Sequence, residues 1–315
     1  MIKLERISKS YGREPVLDKI DLTLDSGEIY GLIAENGGGK TTLLKIASVI
    51  SEPDAGKVVI EGVNAARDPY YARRHVGYVP DQFGSYHYMT VREYMEFYAS
   101  LCGLSGRKAK VVCENILGTM EIEDDHMDRE VEKLSKGMRQ RLCIARALIP
   151  NPDFLVLDEP FDGIDPVGRR QMYKICRNLA EEGKIILVSS HELGDMESLC
   201  TRFGFLKNGK IVAEGGIEDL YLQVNLGKVL SVTALSEVDA VLMNDFFREN
   251  DLITSVVRDH MVFHITGEFT AEEEADLLTE MINRKIRILE FSHVKNPLEE
   301  VFEAVVGGRK DEVVW

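Results

Sequence analysis

The segment from Tyr30 to Ile50 constrains the fold more than any other part of this sequence. It begins with the apolar run Tyr30–Ile33, passes through three consecutive glycines at positions 37–39 into Lys40 and Thr41, and ends in a helical pattern. Glycines let backbone N–H groups approach phosphate oxygens, and a helix N-terminus adds its positive dipole end. This order predicts a nucleotide site in which Lys40 neutralises the β and γ phosphates and Thr41 offers its hydroxyl to Mg²⁺.

A second apolar run ends in two acidic residues. Phe154–Leu157 has only apolar side chains and is followed by Asp158 and Glu159. Two adjacent carboxylates at the end of a buried strand would be costly without a cation to face. We therefore expect Asp158 to hold the Mg²⁺ shell and Glu159 to act as the general base for an attacking water.

The order of the predicted elements indicates two domains. Fully apolar runs such as Phe154–Leu157 and Ile185–Val188 are typical of parallel strands covered on both faces, and they alternate with helical patterns, so the expected fold class is α/β. We expect this domain to span residues 1–218, with a helical subdomain at about residues 84–150. The remainder, residues 219–315, has the order strand, helix, strand, strand, helix, strand, helix, which predicts a small ferredoxin-like α+β domain.

Composition narrows the choice of partners. The chain has 315 residues and a net charge of −15, which disfavours nucleic acid and anionic lipid. No run approaches the roughly 18 apolar residues of a membrane span, and the N-terminus lacks the apolar stretch of a secretion signal. The five cysteines are scattered without a CxxC pair, so neither a metal centre nor a disulfide framework is expected. We expect a cytosolic protein that contacts a membrane only through a partner.

A third motif lies between the two apolar runs. The sequence Leu134-Ser-Lys-Gly-Met138 stands about 20 residues before Asp158 and Glu159. Together with the glycine-rich loop and the acidic pair, it resembles the signature motif of ABC-transporter ATPases, in the form LSKGM. The resemblance covers roughly residues 1–215. It implies a P-loop NTPase domain of the ABC type that binds ATP and Mg²⁺.

The resemblance also implies roles for individual residues. Tyr11 is expected to stack on adenine and Val16 to pack against it, Glu159 and His191 are expected to be catalytic, and residues 163–165 match the D-loop. The implied nucleotide-binding set is Tyr11, Val16, Ala34, Glu35, Asn36, Gly37, Gly38, Gly39, Lys40, Thr41 and Thr42, with Ser135 and Gly137 serving the ATP bound on a second copy. The implied metal-binding set is Thr41, Asp158, Asp81 and Gln82.

Two segments depart from the family pattern. Ala34 and Glu35 stand where the family usually has Gly and Pro, and Glu35 adds negative charge near the phosphates. We expect activity to be retained, because alanine is the smallest possible change. Asp81 occupies the usual position of the Q-loop glutamine, and Gln82 follows it. Asp81 could reach Mg²⁺ through water, or Gln82 could serve after a shift of one residue, and the sequence leaves both open.

The resemblance implies the ATP-hydrolysing subunit of an ABC transporter. Because the chain has no membrane domain of its own, a separate transmembrane permease is the expected partner, and the subunit should lie at the cytoplasmic face of the cell membrane. A second ATPase copy, identical or paralogous, is expected to pair head-to-tail with it around two ATP molecules. The segment Pro297–Glu303 resembles the tail of ATPases from drug- and peptide-export systems, which favours export over import.

The sequence leaves two alternative functions to be tested. The first is a soluble non-transport ABC ATPase that acts on the ribosome or on DNA, but the single cassette, the absence of an inserted coiled coil and the acidic charge disfavour it. The second is a nucleotide-binding regulator without turnover, which only Ala34, Glu35 and Asp81 support. Copurification of a membrane protein would test the first alternative, and ATPase turnover would test the second.

An aromatic cluster follows the Q-loop position. Six of the chain's aromatic residues lie between positions 81 and 98: Phe83, Tyr86, Tyr88, Tyr94, Phe97 and Tyr98. The last three have helical spacing and are expected to pack in the local core. The first three lie in a predicted loop, and the resemblance implies that this region receives a short cytoplasmic helix of the membrane partner.

Overall fold

The computed structural model describes residues 1–35, 37–81, 84, 88–217, 219–220, 228–293 and 298–306. The chain divides into two compact units, Met1–Ile217 and Glu218–Trp315, and each is described here by itself. Among the described residues, helices are all too short or too polar to cross a bilayer.

The first unit alternates strands and helices. In chain order its elements are β1 (Ile2–Tyr11), β2 (Glu14–Leu24), β3 (Ile29–Ala34), α1 (Lys40–Ala47), β4 (Ala55–Ile60), β5 (Val63–Asn64), α2 (Pro69–Arg74), β6 (Val76–Val79), α3 (Val91–Leu101), α4 (Gly106–Thr119), two short 3-10 helices (Asp124–His126 and Val131–Lys133), α5 (Lys136–Leu148), β7 (Phe154–Leu157), α6 (Pro166–Glu181), β8 (Ile185–Ser189), α7 (Leu193–Leu199), β9 (Arg202–Lys207) and β10 (Lys210–Gly215).

A six-stranded sheet forms the centre of this unit, in the order β10-β9-β3-β8-β7-β6. Strands β6, β7, β8, β3 and β9 run parallel, and β10 is antiparallel to β9. Every residue of β3, β7 and β8 is buried, which confirms the prediction of strands covered on both faces. Because parallel strands end at the same edge, the segments after β3, β6, β7 and β8 lie close together.

A second, antiparallel sheet has the order β2-β1-β4-β5. Sequence analysis missed β2, because its buried residues alternate with charged and polar ones and its pattern does not stand out from a loop. In the structure Leu17, Ile20, Leu22 and Leu24 of this strand are buried. The hairpin between β1 and β2 closes where Tyr11 pairs with Glu14, and this turn carries two of the predicted nucleotide-binding residues.

Helices α3, α4 and α5 lie in the predicted helical subdomain. Thr90 and Glu93 form a capping box that fixes the start of α3: the Glu93 N–H donates to the Thr90 hydroxyl and the Thr90 N–H donates to the Glu93 carboxylate. Tyr94 is fully buried, as predicted. Phe97 and Tyr98 are half-buried, with ring centroids 5.2 Å apart.

The described part of the second unit contains an antiparallel sheet and several helices. Its elements are β11 (Lys228–Ala234), α8 (Glu237–Arg248), β12 (Ile253–Asp259), β13 (Val262–Gly267), α9 (Ala271–Asn283), β14 (Ile288–His293) and α10 (Leu298–Val306). The sheet order is β12-β13-β11-β14, with every pair antiparallel. This is the arrangement of a ferredoxin-like unit, as predicted. Phe247 of α8 packs on Phe263 of β13, with ring centroids 5.5 Å apart.

Candidate functional site

The loop between β3 and α1 has a backbone that requires glycine. Gly37 and Gly39 have left-handed φ angles of 79° and 96°. A Cβ on Gly39 would lie 3.1 Å from Cγ1 of Val16, and a Cβ on Gly38 would lie 3.0 Å from the carbonyl oxygen of Glu35. The Gly38 N–H donates to that same oxygen at 3.0 Å. The loop is therefore a tight turn with little room for a side chain at Gly38 or Gly39 and a left-handed backbone at Gly37 and Gly39, as a phosphate cradle requires.

Lys40, the first residue of α1, points back across this loop. Its Nζ donates to the carbonyl oxygen of Ala34 at 2.6 Å. Burial lowers the pKa of Lys40, and the negative charges of Glu159 and Asp158 oppose this shift. The ammonium group thus lies within the field of both carboxylates. Thr41 is exposed in the first turn of the helix.

Asp158 follows β7 and has a side chain held by two hydroxyl groups. It is 3% exposed, the Ser189 hydroxyl donates to its Oδ1 at 3.0 Å, and the Tyr78 hydroxyl donates to its Oδ2 at 3.3 Å. Burial raises the pKa of Tyr78, and the charge of Asp158 raises it further, so the phenol stays protonated and can donate. Ser189 and Tyr78 were missed by sequence analysis. The register of the parallel strands, which pairs Leu157 with Val188 and with Val79, is what places them here.

Glu159 and His191 form a pair. Glu159 has a left-handed φ of 48°, and its N–H donates to the Ser189 hydroxyl at 3.1 Å. Its Oε2 accepts from the backbone N–H of His191 at 3.0 Å and lies 2.8 Å from Nδ1 of the same residue. Two residues 32 positions apart are therefore brought together, because β7 and β8 end side by side.

The residues expected at adenine lie on the β1–β2 hairpin. Tyr11 ends β1, its ring is 56% exposed, and the Lys9 ammonium lies 5.9 Å from the ring centroid. Val16 packs against the glycine loop at Gly39, which brings the hairpin and the loop together. An exposed aromatic face next to such a loop is available for stacking.

The loop flanks are described in part. Glu35 is exposed beside the glycine turn, Thr42 is half-buried, and Asp81 is exposed beyond the end of β6. Burial is the main cause that raises the pKa of Tyr78, and the negative charge of Asp81 adds a smaller contribution. Asn36 and Gln82 lie outside the described residues.

The signature segment stands at the start of α5. Ser135 caps this helix, accepting from the Met138 N–H at 3.2 Å, and a Cβ on Gly137 would lie 3.3 Å from the Ile164 side chain. Asp165 caps α6 by accepting from two backbone N–H groups. Over the part of the chain that the structure describes, hydrogen bonds and ion pairs join neither Ser135 nor Gly137 to the glycine loop. The structure therefore brings Lys40, Asp158, Glu159 and His191 together, and the hydrogen bonds of the described residues do not tie the signature to them.

Taken together, the edge of the sheet presents a phosphate-sized turn, an ammonium group, a buried carboxylate and a second carboxylate bonded to an imidazole. Such a set binds a polyphosphate, offers oxygen ligands to a hard cation and can accept a proton from water. The chemistry that fits is hydrolysis of a nucleotide phosphate.

Comparison with known proteins agrees with this chemistry. The model of the ABC transporter family matches residues 17–162. The Nod factor export ATP-binding protein I of Burkholderia thailandensis is 38% identical over 214 residues, which are 68% of this chain and 70% of that protein. The linearmycin resistance ATP-binding protein LnrL of Bacillus subtilis is 28% identical over 309 residues, 98% of each chain.

Solved structures show the same fold for the first unit. An ATP-binding subunit of an ABC transporter superposes with a TM-score of 0.64 at 29% identity and covers 71% of this chain and 93% of its own. A dimeric ATP-binding cassette in a post-hydrolysis state, bound to ADP and Pi, gives a TM-score of 0.62 at 27% identity, with coverages of 69% and 98%. With the site described above, these similarities establish that the chain belongs to the ATP-binding, ATP-hydrolysing subunits of ABC transporters.

Proposed function

We propose that this subunit energises export through a separate membrane-spanning chain, by closing on ATP as a dimer and reopening after hydrolysis. The observation that carries the proposal is the convergence of Lys40, Asp158 and the Glu159–His191 pair at one edge of the sheet. Export is supported by the likeness to a protein named for Nod factor export, 38% identical over 68% of this chain, and to LnrL, a protein named for linearmycin resistance, over 98% of both chains. Neither the relatives nor the net charge of −15 favours an ATPase acting on the ribosome or on DNA.

The glycine loop and Lys40 would hold the phosphates of ATP. Residues 34–42 supply backbone N–H groups, and the positive end of α1 faces the same space. Lys40 already hydrogen-bonds a carbonyl oxygen at the loop entrance, and a phosphate oxygen is a stronger acceptor for an ammonium group than a carbonyl is. Tyr11 would stack on adenine, with Val16 beneath it.

The residues around Asp158 fit Mg²⁺. Within the described residues its buried carboxylate accepts hydrogen bonds from two hydroxyl groups, those of Ser189 and Tyr78, and Mg²⁺ prefers such carboxylate oxygen ligands. Thr41, Asp158 and either Asp81 or Gln82 would hold the ion. When bound, Mg²⁺ neutralises charge that develops on the phosphates.

Glu159 would take the proton of the attacking water. Its Oε2 accepts from the backbone N–H and from Nδ1 of His191, and Oε1, which has no hydrogen bond to another described residue, would face the water. His191 orients the carboxylate and, by its place at the end of β8, would contact the γ-phosphate. General-base catalysis of this kind typically contributes about 10²–10⁴-fold to a rate.

Ser135 and Gly137 would serve the ATP bound on a second copy of the ATPase, because nothing joins them to the described loop of their own chain. We expect Ser135→Arg to block ATP hydrolysis while leaving the ATP affinity of an isolated monomer within about twofold of wild type. Arginine can still be accommodated on the monomer surface, but it would fill the space that a partner's nucleotide requires. Steady-state phosphate release and calorimetry at a concentration that keeps the protein monomeric measure the two quantities. A fall in monomer affinity as large as the fall in activity would assign Ser135 to its own site.

The membrane partner would bind at the loop that carries Phe83, Tyr86 and Tyr88. The subunit would then lie at the cytoplasmic face of the membrane. Tyr88 is 82% exposed with a left-handed φ of 69°, and Phe83 and Tyr86 lie outside the described residues. Large exposed rings of this kind are enriched at interface cores.

We expect the triple variant Phe83→Ala, Tyr86→Ala, Tyr88→Ala to keep the basal ATPase rate of the isolated subunit and to lose copurification with a membrane protein from native membranes. The matched control is Tyr70→Phe, an exposed tyrosine on α2, which should copurify as wild type does. A stable triple variant that still copurifies would place the docking surface elsewhere, and an unfolded one would show that the rings are core.

A further inference from the structure

A cluster of charged side chains lies behind His191 and has no part in the mechanism above. Arg169, in the first turns of α6, donates from Nη2 to Oε1 of Glu192 at 2.7 Å and from Nη1 to the other carboxylate oxygen. The same Nη1 donates to both oxygens of Asp195, at 3.1 and 3.3 Å, and Nε donates to the carbonyl oxygen of Ile164 at 3.0 Å. One guanidinium group thus joins the D-loop backbone to two acids on either side of the start of α7.

The two carboxylates that Arg169 binds differ in burial. The side chain of Asp195 is 6% exposed and also accepts a hydrogen bond from the Tyr173 hydroxyl, whereas that of Glu192 is 44% exposed. A buried carboxylate left without its cation is strongly destabilising, whereas an exposed one is not. The bond to Asp195 therefore stabilises the fold, and the bond to Glu192 must be explained differently.

Glu192 directly follows His191 and is the residue that precedes α7. Ser, Thr, Asp and Asn in this position commonly cap a helix with their own side chains, whereas the Glu192 side chain makes no capping bond. Its carboxylate is turned to Arg169, and its N–H donates to the Ser190 hydroxyl at 3.0 Å. The hydrogen bond from Arg169 lowers the pKa of Glu192, so the link is charged at neutral pH. Arg169 of α6 therefore holds the segment Ser190–Glu192 through Glu192. On the same segment, His191 holds the Glu159 carboxylate.

We propose that Arg169 is a positioning residue for hydrolysis: through Glu192 it fixes the segment that carries His191, and so it sets the orientation of the Glu159 carboxylate. The inference rests on the proposed roles of Glu159 and His191. It also ties this geometry to the D-loop, because the carbonyl of Ile164 is bound by the same guanidinium and the Ile164 side chain abuts Gly137 of the signature.

Two single variants and their combination test the proposal in the full-length chain. Arg169→Lys keeps a cation for buried Asp195 but loses the fork that spans both acids, and Glu192→Gln removes the charge at the far end of the link. Each is expected to lower the kcat for ATP by about 10- to 100-fold, the range that misplacement of a catalytic group by about 1 Å produces. The KM for ATP and the thermal unfolding midpoint of Glu192→Gln should stay at wild-type values. The double variant should lose no more kcat than the worse single variant, because both break the same link.

Arg177→Gln is the matched control. Arg177 lies on the same helix and also reaches α7, but at its far end, where it donates to the carbonyl of Ser198. It should retain wild-type kcat. A wild-type kcat in Glu192→Gln, or a double variant whose loss is the product of the two single losses, would overturn the proposal. If instead Glu159→Gln retains turnover, the proposed roles of the catalytic pair fail, which is a distinct result.

Discussion

Replacing Glu159 by Gln is expected to lower the rate of ATP hydrolysis by at least about 100-fold while leaving ATP affinity close to wild type. The amide has the size of the carboxylate, and its oxygen can still accept from the His191 N–H that now binds Oε2, so the loop keeps its shape. It cannot, however, take a proton from water. Phosphate release under steady state and calorimetric titration with ATP measure the two effects separately.

The Glu159→Gln protein should also accumulate as an ATP-bound dimer, because closure precedes hydrolysis in the proposed cycle. Size-exclusion chromatography with ATP and Mg²⁺ reports this directly. Glu182→Gln, the same chemical change at the far end of α6, is the control and should neither slow hydrolysis nor trap a dimer. Persistent turnover in Glu159→Gln, or a monomer under all conditions, would contradict the proposal.

Lys40→Ala is expected to weaken ATP binding by about 10- to 100-fold, since a hydrogen bond to a charged group contributes about 1.5–3 kcal/mol. The lysine is half-buried and its pKa is lowered by that burial, so its ammonium is already desolvated and loses little on meeting a phosphate. Calorimetry on the nucleotide-free protein gives the affinity.

Lys45→Ala offers a matched control on the same helix. Lys45 lies in the last turn of α1 and is exposed, so its removal should leave the affinity unchanged. Equal affinities of wild type and Lys40→Ala would show that the glycine loop is not where the phosphates bind.

The parallel sheet could be predicted from sequence because its strands are apolar throughout. The bounds of β7 coincide with the apolar run Phe154–Leu157, and the predicted order of elements in the second unit is confirmed. Strand β2 was missed for two reasons. In an antiparallel sheet with one solvent-exposed face, only alternate residues are apolar. In addition, β-bulges between β1 and β2 interrupt that alternation.

The residues of the site likewise fall into those that could be identified from local sequence and those that could not. Lys40, Asp158, Glu159 and His191 were identifiable because each sits in a local pattern of strand end and loop. Ser189 and Tyr78 were not, since their role depends on which strands are neighbours and on their register. Arg169 carried no signal at all: its acidic partners are 23 and 26 residues away, one just before α7 and one within it.

The left-handed backbone of Glu159 has an evolutionary consequence. Glutamate held at a φ of 48° costs about 1 kcal/mol or more relative to glycine, which adopts this conformation freely. A substitution of Glu159 by glycine would therefore abolish turnover and also relieve this backbone strain. Lineages released from selection for transport would meet no folding barrier to losing the glutamate, so nucleotide-binding descendants without catalysis could arise in a single step.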